Sequence, residues 1–204
     1  DIIKNGRRGS FSGDLTVHGK QGHVAYQHLA DNPLPKLVQM LELLGQCAFD
    51  EGSHYFPPTN LEITTIDVGN TADNVIPKQG VAHFNIRFND LWSGETLAQK
   101  LHDILKSTGY DYHLDLVYGS ESFLTTPGPW SDIVKTAVQD VTGNTPEFTT
   151  NGGTSDARFV SKYCPVVEFG GINATIHQIN ENASVQDLKD LTEIFARILT
   201  LYLK

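Results

Sequence analysis

The chain has 204 residues, 39% of them hydrophobic and 19% charged, with a formal net charge of -9, which is enough to bury a core as one large or two small domains. The acidic balance excludes a protein that works by following a phosphate backbone, so no nucleic-acid partner is expected. No stretch approaches the ~20 apolar residues of a membrane span, no signal peptide opens the chain, and Cys47 and Cys164 have no metal spacing, so a soluble, cytoplasmic protein with reduced thiols and no membrane partner is expected.

In chain order, residues 11–18 alternate as a strand with Leu15 and Val17 on one face. Asn32-Pro33 opens a helix, because Asn can cap and Pro is tolerated in the first turn. Leu37, Val38, Leu41 and Leu44 give that helix its apolar face. Residues 61–68 and 80–88 read as strands rich in β-branched and aromatic residues. Ser93 caps a second helix carrying Leu97, Leu101, Ile104 and Leu105, which Gly109 ends. Residues 112–118 close the set as a strand. The order β-α-β-β-α-β over residues 10–119 predicts a split sandwich of one sheet and two helices.

Pro127-Gly128-Pro129 then punctuates a connection. A helix follows with Ile133, Val134, Ala137, Val138 and Val141, then a short strand at 147–150 and a helix opened by Gly152-Gly153-Thr154-Ser155. The apolar run 166–169, closed by Gly170-Gly171, reads as a buried strand. A last helix starts at Ser184 with Asp187 three residues on, and buries Leu188, Leu191, Ile194, Phe195, Ile198 and Leu201. Two strands are too few to cover three helices. Together with the opening Asp1-Ile2-Ile3-Lys4, this leads us to expect a fragment with part of its second domain missing.

The Gly-rich turn and His177 carry the chemistry. Backbone N–H groups at a helix start can hold a carboxylate, while the plainer alternative is that Thr154 or Ser155 simply caps the helix. His177 is either a metal or catalytic residue or a hydrogen-bonded structural histidine. A catalytic zinc usually takes three protein ligands, and only Glu181 lies near it in its own segment. Ser155 beside Asp156 raises a serine-hydrolase reading, but the G-x-S-x-G elbow lacks its final Gly. Arg7-Arg8 between glycines is a carboxylate fork or an exposed basic linker. Asn85 and Arg87 share one face of their strand.

Taken together, Asn5-Gly6-Arg7-Arg8-Gly9-Ser10, Gly19-Lys20-Gln21-Gly22-His23-Val24-Ala25-Tyr26, Asn74-Val75-Ile76-Pro77, Phe84-Asn85-Ile86-Arg87-Phe88, residues 152–159 and residues 173–181 resemble, in order, the C-terminal part of the M20-type metallopeptidases. Within that family they are most similar to members that remove succinate from diaminopimelate. The resemblance implies an α/β (α+β) protein: a hinge at 1–8, a split β-α-β-β-α-β dimerisation domain at 9–121, and at 122–204 the C-terminal part of an incomplete three-layer α/β/α zinc-hydrolase domain. It implies two zinc ions per full-length subunit, with His177 as the ligand from this part and at most weak binding by this chain. It implies that His23 reaches across a homodimer to steady the oxyanion. Arg7, Ser10, Tyr26, Asn74, Arg87, Gly153, Thr154 and Asn173 would contact a substrate bearing several carboxylates, which suits arginine.

The activity implied for the parent is hydrolysis of N-succinyl-L,L-2,6-diaminopimelate to succinate and L,L-diaminopimelate, in bacterial lysine and peptidoglycan precursor biosynthesis. The remaining metal ligands and the carboxylate base of the family pattern have no counterpart in these residues. The chain alone is therefore expected to be inactive. Two alternatives stand beside this reading: a non-catalytic dimerisation module, and a related M20 deacylase of another N-acyl amino acid.

Overall fold

The computed structural model describes residues 1–172 and 174–204. In chain order the elements are β1 (Ile2–Lys4), β2 (Gly6–Arg7), β3 (Gly9–His18), β4 (Gly22–His23), α1 (Pro33–Gly45), β5 (Asn60–Asp67), β6 (Val75–Ile76), β7 (Gln79–Phe88), α2 (Gly94–Lys106), β8 (Tyr112–Ser120), β9 (Phe123–Leu124), α3 (Pro129–Thr142), β10 (Glu147–Thr149), α4 (Ala157–Val160) and α5 (Val185–Tyr202). They form two units: Arg8–Ser122, and Asp1–Arg7 together with Phe123–Lys204. No helix among the described residues is long and apolar enough to cross a membrane.

In the unit Arg8–Ser122, β5-β7-β3-β8 form one four-stranded sheet with antiparallel neighbours throughout. This is the split β-α-β-β-α-β arrangement. The strict alternation of β7 sends Ala82, Phe84, Ile86 and Phe88 into the core and leaves His83, Asn85 and Arg87 half-buried on the opposite face. Phe11, Leu15 and Val17 of β3 join that core, which α1 and α2 cover with Leu37, Met40, Leu41, Leu44, Leu97, Leu101 and Leu105. Full burial of each such side chain contributes about 1.5–3 kcal/mol. One expected core position differs: Val38 is 60% exposed and Met40 is buried in its place, because 37, 40, 41 and 44 complete the i, i+3, i+4, i+7 stripe.

The caps follow the sequence. Asn32 Oδ1 accepts the Leu34 N–H at 3.1 Å, and Ser93 and Thr96 form a reciprocal capping box. Gly13 lies directly opposite Phe84 across β3 and β7. The Phe84 ring occupies the space a Cβ on Gly13 would need. A second organising point is Asp50, whose carboxylate accepts from Gly52 N, Thr59 N, Asn89 Nδ2 and Trp92 Nε1 at 2.6–3.2 Å. Burial alone would raise its pKa, but these donors outweigh burial and hold it below the ordinary value.

In the other unit, β1 pairs in parallel with β10, and β2 runs antiparallel to β9 with Arg7 opposite Phe123. Ile3 packs with Val134, Ala137 and Val138 of α3 and with Ile194 and Ile198 of α5. Ser184 Oγ caps α5 by accepting from Gln186 N and Asp187 N.

Three expectations for this unit are corrected. Residues 166–169 form no ladder: they are half-buried and make one isolated antiparallel bridge between Glu168 and Lys4, since only a single pair of backbone hydrogen bonds docks them. Leu188 and Phe195 of the α5 stripe are 54% and 47% exposed, so the buried contact narrows to Ile194 and Ile198. The helix after the Gly-rich turn is only one turn long; its N-cap is Asp156, without a side-chain cap, rather than Thr154 or Ser155.

Candidate functional site

Within Arg8–Ser122 the expected residues fall into two groups. The first stands on a small ribbon, where His23 of β4 lies opposite Val75 of β6. The Val24 N–H donates to the Asn74 carbonyl at 3.1 Å, so the backbone segments that carry His23 and Asn74 run side by side although they are far apart in sequence. His23 also caps the 3-10 turn Val24–Leu29: its Nδ1 accepts the Ala25 N–H at 3.1 Å. A ring nitrogen that accepts carries no proton, so the neutral ring bears its proton on Nε2 and can donate there. Tyr26 stands next to it, ring centroids 5.8 Å apart, and is 57% exposed.

The second group lies on the polar face of the sheet. Ser10, nearly buried, is directly opposite Arg87. Arg8 joins them: its Nη1 donates to Asn60 Oδ1 at 2.7 Å, and its buried Nε has no hydrogen-bond partner among the described residues. Burial and the nearby Arg87 guanidinium lower the Arg8 pKa. Two guanidinium groups held near one another favour an anion at this end of the sheet.

In the other unit, Arg7 is fixed at its Nε, which donates to Glu168 Oε2 at 2.6 Å. Its Nη1 donates to the Asn151 carbonyl at 3.4 Å, and Lys4 Nζ donates to the same carbonyl at 2.7 Å. The Gly-rich turn closes over this cluster. Gly152 has φ +103°, and a Cβ there would come within 2.9 Å of Arg7 Nη1, so the turn needs glycine at this position on two counts. At Gly153 a Cβ would meet nothing within 4 Å. Thr154 Oγ1 accepts from Arg158 Nη1 at 3.4 Å.

Burial would raise the Glu168 pKa, but the Arg7 ion pair, Ser155 and Lys4 hold it below the usual carboxylate range. The Ser155 hydroxyl lies beside this carboxylate, outside formal hydrogen-bond geometry. Glu168, Lys4 and Asn151 were not singled out from the sequence. The available signal was a single carboxylate inside the run Val166-Val167-Glu168-Phe169, since a charge in an apolar run must find a partner.

His177 is exposed and has φ +60°, a conformation uncommon outside glycine. Its backbone N–H donates to Glu181 Oε2 at 3.3 Å. Among the described residues no group of three His, Cys, Asp or Glu side chains could hold a metal ion. One imidazole does not make a zinc site, so these residues do not fit the metal by themselves. The expectation for Asn173 lies outside the described residues.

Comparison with known proteins gives this geometry a context. Residues 5–113 match the family model described as "Peptidase dimerisation domain" (M20). The protein named succinyl-diaminopimelate desuccinylase from Xanthobacter autotrophicus is 52% identical over 203 residues, covering 99% of this chain and 54% of its own length. This chain therefore spans about half the length of the curated relatives it matches. Among solved structures, the aminopeptidase PepT of Bacillus cereus superposes with a TM-score of 0.85 at 18% identity, covering 100% of this chain and 54% of that one. The M20 family metallo-carboxypeptidase Sso-CP2 of Sulfolobus solfataricus gives a TM-score of 0.79 at 16% identity, covering 98% and 60%. With a model match over more than half its length and a fold common to these peptidases, the chain belongs to the M20 peptidase dimerisation domain family.

Proposed function

We propose that this chain is part of a desuccinylase that hydrolyses the amide of N-succinyl-L,L-2,6-diaminopimelate. The observation that carries this reading is the 52% identity over 99% of the chain to a relative of that name. The products are succinate and L,L-diaminopimelate, in bacterial lysine and peptidoglycan precursor synthesis in the cytoplasm. The substrate carries several carboxylates, and the arginines Arg7 and Arg87 are the chain's complement to them. Arg7, Gly153 and Thr154 serve one contact region, Ser10 and Arg87 a second on the sheet face, and Tyr26 and Asn74 a third on the ribbon beside His23. His23 donates from Nε2 to the oxyanion of the partner subunit's substrate, a role that its Nδ1 bond to Ala25 supports. His177 is the one nitrogen donor offered towards a metal. Among the described residues no group of three His, Cys, Asp or Glu side chains gathers around it, and the remaining ligands would have to come from outside this chain.

The partner is a second copy, joined through the Arg8–Ser122 unit. Its edge strand β5, with Ile63 and Ile66 exposed on it, and the exposed Val38 of α1 support this, since an unpaired edge with exposed apolar side chains invites another strand. The test is succinate release from N-succinyl-L,L-diaminopimelate by a form of the protein spanning the full length of its relatives, run beside a panel of other N-acyl amino acids. Release of succinate by that form, with none from the 204-residue chain, is the expected result. Hydrolysis only of another acyl-amino acid would replace this reading with that of a related deacylase.

A further inference from the structure

The Arg7–Glu168 pair has a geometry beyond that of a surface ion pair. Arg7 is 13% and Glu168 27% exposed at the side chain, with 2.6 Å between Nε and Oε2. The Glu168 backbone is itself clamped: Lys4 N donates to Glu168 O at 2.9 Å and Glu168 N to Lys4 O at 2.8 Å. The carboxylate is thus anchored to the strand that leads into Arg7. From the other side Asn151 O accepts from Nη1, and Gly152 closes over the same nitrogen. A guanidinium has five N–H donors. Glu168 takes the Nε hydrogen and Asn151 one Nη1 hydrogen, which leaves the second Nη1 hydrogen and both on Nη2 for a carboxylate.

We propose that Glu168 is a positioning residue that fixes Arg7 by its Nε so that the opposite edge of the guanidinium receives a substrate carboxylate. This rests on the desuccinylase reading above. Charge alone argues the other way: removing Glu168 would make the site more positive and tighten anion binding. The sign of the change therefore separates orientation from simple neutralisation. A structural staple predicts a third outcome, lost stability with unchanged recognition.

The experiment uses the full-length protein and N-succinyl-L,L-diaminopimelate, with thermal melts of every variant. Glu168→Gln is expected to raise KM about ten-fold with kcat within about three-fold, the size of one lost charge-assisted bond. Glu168→Asp, which keeps the charge, recovers part of that loss. Arg7→Lys keeps the cation but has no Nε, and is expected to match Glu168→Gln, so a poorly folding Glu168 variant still leaves a measurement. In an Arg7→Gln background, Glu168→Gln adds nothing further to KM. A KM that is unchanged or lower in Glu168→Gln, an Arg7→Lys enzyme with wild-type KM, or additive effects in the double variant would overturn the proposal. If the unsubstituted full-length protein releases no succinate, the desuccinylase reading fails first and this proposal falls with it.

Discussion

The imidazole Nδ1 of His23 accepts the backbone N–H of Ala25, and this one bond both starts a 3-10 turn and selects a ring tautomer. The protonated ring could not make it, because both nitrogens would then be donors. His23→Ala in the full-length enzyme is expected to lower kcat by about 10²–10³-fold with little change in KM, the usual cost of one lost oxyanion donor. Steady-state kinetics check this. Mixing His23→Ala with His177→Ala subunits should restore part of the activity if the histidine works across the dimer; no recovery on exchange of subunits would place it in its own subunit's site.

The four-stranded sheet depends on close complementarity between β3 and β7. Gly13→Ala puts a methyl into the Phe84 ring, which is 1% exposed and has nowhere to move. The expected loss is about 1–3 kcal/mol from overpacking. Leu101→Ala, at a position with no exposure, should cost about 2–5 kcal/mol by leaving a cavity. Urea midpoints of the 204-residue chain give both values.

Asp50 provides a pH signature. Its pKa in the folded chain lies below the ordinary 3.8, so its ionised form contributes stability in full above that value. The contribution is lost as pH falls through the folded value. Asp50→Asn should be less stable than the parent by about 2 kcal/mol or more at pH 7, because the Asn89 and Trp92 donors lose their charged acceptor. The gap should shrink below pH 3.8. Urea denaturation at pH 7, 5, 4 and 3 reads it directly; a gap constant across that range would show that the ionised carboxylate is not the source.

For the homodimer, Ile66 is the sharpest probe. It lies on the edge strand β5 and is 55% exposed. Ile66→Lys places a charge at the edge that a second copy would cover. Sedimentation should show the parent as a dimer and the variant shifted to monomer, with unchanged far-UV circular dichroism. A variant that remains dimeric would move the interface elsewhere.

What the sequence revealed depended on whether an element's signals were local. The α1 and α2 boundaries were legible because Asn32 and Ser93 cap through their own side chains. The β7 alternation was legible because one face is buried and the other is not. The Arg8–Ser122 unit therefore matched its expected order closely. The ribbon of β4 and β6 was not visible as paired strands, since two residues a side carry no periodicity. Val166-Val167-Glu168-Phe169 showed the opposite failure: apolarity announces a need for burial but does not name the ladder to join, and here there is a single bridge. Arg7 could be flagged from its glycine neighbours, whereas its partner Glu168 is 161 residues away, and such a pairing leaves no trace in local spacing.

The pairing of β2 with β9 sets Arg7 beside Phe123, the last residue before the Arg8–Ser122 unit and the first one after it. The chain thus leaves and re-enters at adjoining points, as a loop does between two hairpin strands. A unit hung in this way is a cassette: it can be lengthened, traded or dropped without re-threading the strands that carry it. Length and sequence inside the unit can then drift while the Gly6–Leu124 and Arg7–Phe123 pairing stays as it is.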